Sequence, residues 1–128
     1  MDVEWIRALC LSLPGATEQI LWEHDLVFKV GGKMFAAAPL EPAAICLSFK
    51  CSDEDFIELI ERPGIIPAPY AARAHWVALE SESALRRPEL EQLLRQAHSL
   101  IVAKLPKKLQ TEILAAKPRA KKPRNRKR

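Results

Sequence analysis

Two adjacent glycines, Gly31 and Gly32, separate the runs Leu26-Val27-Phe28-Lys29-Val30 and Lys33-Met34-Phe35-Ala36-Ala37. Glycine takes the positive φ values that a two-residue hairpin turn demands, and the apolar residues on either side suit strands with a buried face. The middle of the chain is thereby committed to an antiparallel pair. A two-residue loop sets Val30 opposite Lys33, Phe28 opposite Phe35 and Leu26 opposite Ala37, which puts both phenylalanines on the core face. Lys33 then stands at the end of that face, where its stem can lie on apolar surface while the ammonium reaches water.

The flanking segments supply the remaining elements. Val3, Ile6, Leu9, Cys10 and Leu13 follow helical spacing behind Asp2, a capping residue, and Pro14-Gly15 stops that helix. Gln19 to Trp22 reads as a short strand. Ile45, Leu47 and Phe49 alternate with Cys46, Ser48 and Lys50, which predicts another strand with Cys46 on its less buried side. Ser52 and Asp55 have capping-box spacing, and Phe56, Leu59 and Ile60 give the helix that follows a buried stripe. Arg62-Pro63-Gly64 ends it, Pro67 and Pro69 keep the next segment extended, and Trp76 to Leu79 reads as a strand. Pro88 opens a long amphipathic helix through Leu90, Leu93, Leu94, Ala97 and Ile101, and Pro106 leaves Leu109 to Ala116 for a short helical piece. The expected fold is α+β: a single domain, with an antiparallel sheet, helices packed on one face and the other face exposed.

Charge divides the chain more sharply than secondary structure does. Residues 117 to 128 carry eight of the 20 basic residues and no acidic ones, so the first 116 carry 12 basic and 16 acidic side chains, a net of −4. The formal charge of +4 therefore belongs to a basic tail on a moderately acidic body. The organisation read from this is a folded domain over residues 1–116 and a disordered basic tail over 117–128. Cys10, Cys46 and Cys51 are odd in number and lack the paired close spacing of zinc ribbons or fingers, which fits a reducing cytoplasm best. No signal peptide and no apolar run of about 18 residues is evident, so the expectation is a cytoplasmic protein without a membrane partner.

Lys117, Arg119, Lys121, Lys122, Arg124, Arg126, Lys127 and Arg128 can follow a phosphate backbone and displace its counterions, with little sequence preference. The same run also reads as a solubilising terminus, and without aromatic residues it has nothing to stack on bases. In the body, Lys33, Lys50, Arg73 and His75, with Tyr70 and Trp76, form a cation and aromatic set spread over the hairpin, a strand end and the stretch from Pro63 to Leu79. Either they share a surface or hollow that holds an anion, or the aromatics pack and the cations are ordinary strand surface. Lys29 and Trp22 belong to the wider set of this kind. His24, His75 and His98 form no His-x-x-x-His pair and the cysteines no Cys-x-x-Cys pair, so no metal site, cofactor or catalytic residue is assigned. Cys51, just before a capped helix, could gain thiolate character from the helix dipole, or be an ordinary small residue at a strand end.

An ordered series of short motifs goes further. Pro14-Gly15 with Glu18, Phe28 through Ala36, Phe49-Lys50-Cys51, Gly64 through Tyr70, His75-Trp76, Ala97 through Val102 and Leu105-Pro106-Lys107-Lys108 together resemble the YjbR/MmcQ family of small bacterial proteins, over roughly residues 3 to 110. The resemblance implies a compact α+β fold similar to frataxin-like (CyaY-like) proteins and to a double-wing DNA-binding domain, with DNA binding as the usual label and no catalytic activity. The chain departs from the family pattern at Ala97-His98, where Ser-Tyr is usual, and at Arg73-Ala74, where a lysine often precedes His-Trp. The expected function is non-enzymatic DNA binding with the tail on phosphates. The alternative is a module binding a protein, peptide or small anion near the His-Trp segment.

Overall fold

The structure is a computed structural model that describes residues 3–69 and 71–115. Along the chain come helix α1 (Val3–Leu11), strands β1 (Ala16–Leu21), β2 (Asp25–Val30), β3 (Lys33–Pro39) and β4 (Leu47–Lys50), and helix α2 (Asp53–Leu59). Strand β5 (Ile65–Pro67), a 3-10 turn (Ala72–Ala74), strand β6 (Trp76–Leu79), and helices α3 (Arg87–Val102) and α4 (Lys107–Ala115) complete it. The six strands form one antiparallel sheet in the order β1-β2-β3-β4-β6-β5.

Antiparallel pairing gives this sheet two distinct ends. Ala16 pairs with Val30, Val30 with Lys33, and Lys50 with Trp76, so these residues mark one end, called here the hairpin end. Leu21, Asp25, Pro39, Leu47 and Leu79 mark the other.

The core lies between the sheet and the helices. Phe28, Phe35, Phe49, Leu47, Val77 and Leu79 from the strands are fully buried against Ile6 and Cys10 of α1 and Leu90, Leu94 and Ala97 of α3. The local chemistry anticipated for α2 is present: the Ser52 side chain accepts a hydrogen bond from the Asp55 amide at 3.1 Å. Two forked ion pairs fix helix ends, Arg7 on Glu18 joining α1 to β1 and Arg62 on Glu89 joining α2 to α3.

Three local expectations are corrected. Register slips by one residue between Phe28 and Lys29, so Phe28 pairs with Ala36 and Leu26 with Ala38, while Val30 still faces Lys33. A bulge absorbs the extra residue, Phe35, whose ring remains fully buried 6.5 Å from that of Phe28. The strand expected from Ile45 begins only at Leu47, and the alternation breaks there: Cys46 packs on the main core and Ile45 on a second cluster. That second cluster overturns the bare outer face. Trp76, Ala68 and Ala78 are buried there with Met34, Ile66 and Ala71 packed on them, so the proline-stiffened segment folds over part of the sheet.

His98, on α3, is 4% exposed and lies edge-on to Phe35, with ring centroids 5.4 Å apart. Its Nε2 donates to the Pro14 carbonyl at 2.7 Å, since a carbonyl oxygen can only accept. Burial holds its pKa below the ordinary 6.5, and the Pro14 bond only partly offsets that. The unfolded chain therefore binds the proton more readily than the native one. The contribution of His98 to stability is complete above pH 6.5 and is lost as pH falls from there through the folded value. Urea unfolding across pH 5 to 8 should show this slope, and His98→Gln, which keeps an N–H for Pro14, should flatten it while costing about 1 kcal/mol at pH 8.

Gly31 and Gly32 hold φ of +60° and +83°. A β-carbon at Gly31 would lie 2.5 Å from Cδ1 of Leu105, whereas one at Gly32 would meet nothing within 4 Å. Gly32→Ala should cost about 1 kcal/mol through backbone strain alone, and Gly31→Ala about 2 kcal/mol or more because Leu105 must also move. Equal losses in denaturant midpoints would contradict the contact.

Candidate nucleic-acid interface

The hairpin end is assembled by two turns that meet. Leu105, in the turn between α3 and α4, packs on the bare Gly31 backbone. That contact sets Lys104, Lys107 and Lys108, all exposed, beside the tip that presents exposed Lys33. Lys50 ends β4 at the same end of the sheet. Four exposed lysines and one covered one therefore share a single end of the molecule.

Lys50 differs from the others in its setting. It is only 7% exposed, and its Nζ donates a hydrogen bond to the Ala74 carbonyl. Burial lowers its pKa most and the neighbouring Lys104 ammonium lowers it further, while the Asp53 carboxylate acts in the opposite direction. Lys104 therefore stands close enough to Lys50 for the two ammonium groups to repel.

The His-Trp segment is built differently. His75 sits in the left-handed region with φ of +59°, an uncommon conformation for a residue with a side chain. Its carbonyl accepts from the Cys51 amide at 3.0 Å and contacts Cys51 Sγ at 3.3 Å, its Nδ1 lies 2.5 Å from Asp53 Oδ1, and its ring lies 5.0 Å from Phe56. These contacts account for the unusual backbone, and they make His75 a clamp between β6 and the start of α2. Trp76 is 9% exposed, the centre of the second apolar cluster. Arg73 is exposed on the 3-10 turn. Burial pushes the Cys51 thiol up to about 11, so the helix dipole does not make it a nucleophile.

Of the residues singled out in the sequence, Lys33 and Lys50 are brought to one end with the start of β6, and Arg73 and His75 lie beside Lys50 along the chain that covers it. Five of the best-formed surface hollows among the described residues, of ≈ 290 to ≈ 480 Å³, are lined by residues other than Lys33, Lys50, Arg73, His75 and Trp76. Tyr70 and the eight cations from Lys117 to Arg128 lie outside the described residues. No group of three His, Cys, Asp or Glu side chains placed to hold a metal occurs among the described residues, and no described helix is long and apolar enough to cross a membrane.

Lys104 was not singled out in the sequence, and Lys107 and Lys108 entered only as part of a family motif. Their relation to Lys33 depends on the Leu105 contact with Gly31, which no local pattern announces. The acidic side chains Asp53, Glu54 and Asp55 begin α2 at this same end, with Asp53 engaged by His75. The exposed lysines about the Gly31–Leu105 contact therefore share this end of the sheet with the three carboxylates that open α2.

Known proteins place this fold. A crystal structure of the Deinococcus radiodurans protein DR2400, with a DUF419 family domain, superimposes with a TM-score of 0.79 at 28% identity, covering 88% of this chain and 87% of that one. No curated protein matches the chain. The family model YjbR matches residues 11–100, and YjbR is not a known enzyme family. With its whole sheet, α2, most of α3 and more than half of its length inside that match, the chain belongs to the YjbR family.

Proposed function

We propose that the protein is a cytoplasmic, non-enzymatic DNA-binding protein whose hairpin end rests on the phosphate backbone while residues 117 to 128 add salt-sensitive affinity. The observation that carries this reading is the gathering of Lys33, Lys104, Lys107 and Lys108 around the Gly31–Leu105 contact, on a body whose net charge is −4. A net-acidic domain repels DNA unless one region is locally positive, and these four exposed lysines supply the positive charge that such a region needs.

Position adds to the case. Ile113 of α4 packs against Gly15, which lies just before β1 at the hairpin end, so the chain leaves α4 close to that end. The eight cations that follow are therefore rooted near the exposed lysines of the body, and the two sets can act on one stretch of backbone. Such contacts position a protein without reading bases, so the binding is expected to show little sequence preference.

Fluorescence anisotropy on a labelled duplex across a salt series tests the reading. Each phosphate neutralised contributes a slope of about −0.9 in log affinity against log salt. Deleting 117–128 should remove the larger part of the slope, leaving a residue due to the body. Adding Lys33→Gln, Lys104→Gln, Lys107→Gln and Lys108→Gln should abolish what is left. Absence of binding by the full chain at low salt, or a slope indifferent to both changes, refutes it.

The quadruple change also separates the two lysine environments. The four replaced side chains are exposed and tie nothing down, so thermal stability should shift by less than about 0.5 kcal/mol. Lys50→Met removes the hydrogen bond that the buried Lys50 ammonium donates to the Ala74 carbonyl and should destabilise by about 1–2 kcal/mol in urea titration. A stable Lys50→Met protein would contradict a structural role for that ammonium.

A further inference from the structure

The end of the sheet opposite the hairpin has the reverse character. The turn from β1 to β2 places both Trp22 and Glu23 at positive φ, 53° and 66°, and leaves Trp22 68% exposed. Beside it, Pro39 to Ala43 forms the shared wall of two hollows, of ≈ 360 Å³ and ≈ 290 Å³. Leu40, 40% exposed, lies in both, with Glu41 at the rim of each, Glu80 at the first, and Glu23 and Asp25 at the second. Among the described residues none of these four carboxylates has a cationic partner. Carboxylates about two half-polar hollows, with an exposed indole on the adjoining turn whose His24 carbonyl holds the Leu40 amide, suit a flexible polycation, which meets carboxylates through charge-assisted bonds and the indole through its π face.

We infer that this acidic end docks residues 117–128 of the same chain. Charge complementarity is one ground: eight cations without an acidic residue face Glu23, Asp25, Glu41 and Glu80. Reach is the other. The chain leaves α4 near the start of β1, and the six residues of β1 span about 20 Å at ~3.4 Å each. The thirteen residues after Ala115 can extend to about 43 Å. At the hairpin end, Lys33, Lys104, Lys107 and Lys108 repel the segment, so without a polyanion the field across the body directs it to the opposite end. DNA at the hairpin end then competes for the same cations, a consequence that rests on the DNA-binding reading.

Carbodiimide coupling of the full-length protein, without DNA, tests the docking directly. The reagent joins lysine amines to carboxylates in contact, and a mixture of ¹⁵N-labelled and unlabelled protein distinguishes links within a chain from links between chains. The expected products are intrachain links from Lys121, Lys122 or Lys127 to Glu23, Asp25, Glu41 or Glu80, lost at 1 M salt as screening shortens to about 3 Å. Links between chains, links scattered over Asp53, Glu54, Glu58 and Glu61, or no tail links overturn it. A short duplex added at constant ionic strength should reduce the intrachain yield, and an unchanged yield overturns the competition. Because the first arm contains no DNA, its failure and the failure of DNA binding are read separately.

Discussion

Much of this molecule hangs on one close contact: Leu105 occupies the space where a side chain at Gly31 would be. Glycine is required there twice over, by its positive φ and by the approach of Leu105. The contact joins the β2–β3 turn to the turn after α3 and so sets the long helix lengthwise along the sheet. The same contact gathers lysines from distant parts of the chain. Lys33 follows one turn and Lys104, Lys107 and Lys108 surround the other, so their proximity is a by-product of core packing. Fold and candidate interface are in this sense a single structural fact.

The hairpin was legible because its signal is local: two glycines between apolar runs leave few alternatives. The capped start of α2 was legible for the same reason, with Ser52 and Asp55 in fixed spacing. The bulge was not. Nothing in Lys33-Met34-Phe35-Ala36-Ala37 says which residue will be left unpaired, and the choice falls on Phe35 because its ring can then reach Phe28 and His98 in the core. The burial of Trp76 was one of the two readings the sequence left open, and local pattern does not decide between them. A proline-rich extended segment gives no indication of whether it will project into water or lie on a sheet, and Ala68, Ile66 and Met34 supply the apolar bed that decides the matter. The candidate cations were half legible, since sequence locates charge along the chain and only tertiary contacts locate it in space.

Net charge is a poor guide to this protein because its charge is ordered. Positive side chains collect about the hairpin end, carboxylates without a cationic partner among the described residues stand about Trp22 and Leu40, and eight further cations follow α4 in the sequence. On the proposed reading a polyanion meets the body at the lysines of the hairpin end, although residues 1–116 carry a net charge of −4. His75 and Lys50 contribute differently. Their partners are Asp53, the Cys51 amide and the Ala74 carbonyl, which makes them braces that hold β4, β6 and the start of α2 together at that end.

The central claim is spatial, that the Gly31–Leu105 end of the body is the surface that meets DNA. A short duplex carrying a nitroxide at its centre, bound to ¹⁵N-labelled full-length protein at low salt, reports proximity through broadening of nearby amide signals. The account predicts broadening concentrated at Gly31 to Lys33 and Lys104 to Lys108, with Trp22 to Asp25 and Leu40 to Ala43 unaffected. Broadening centred on Trp22 and Leu40, or spread evenly over the body, would contradict it.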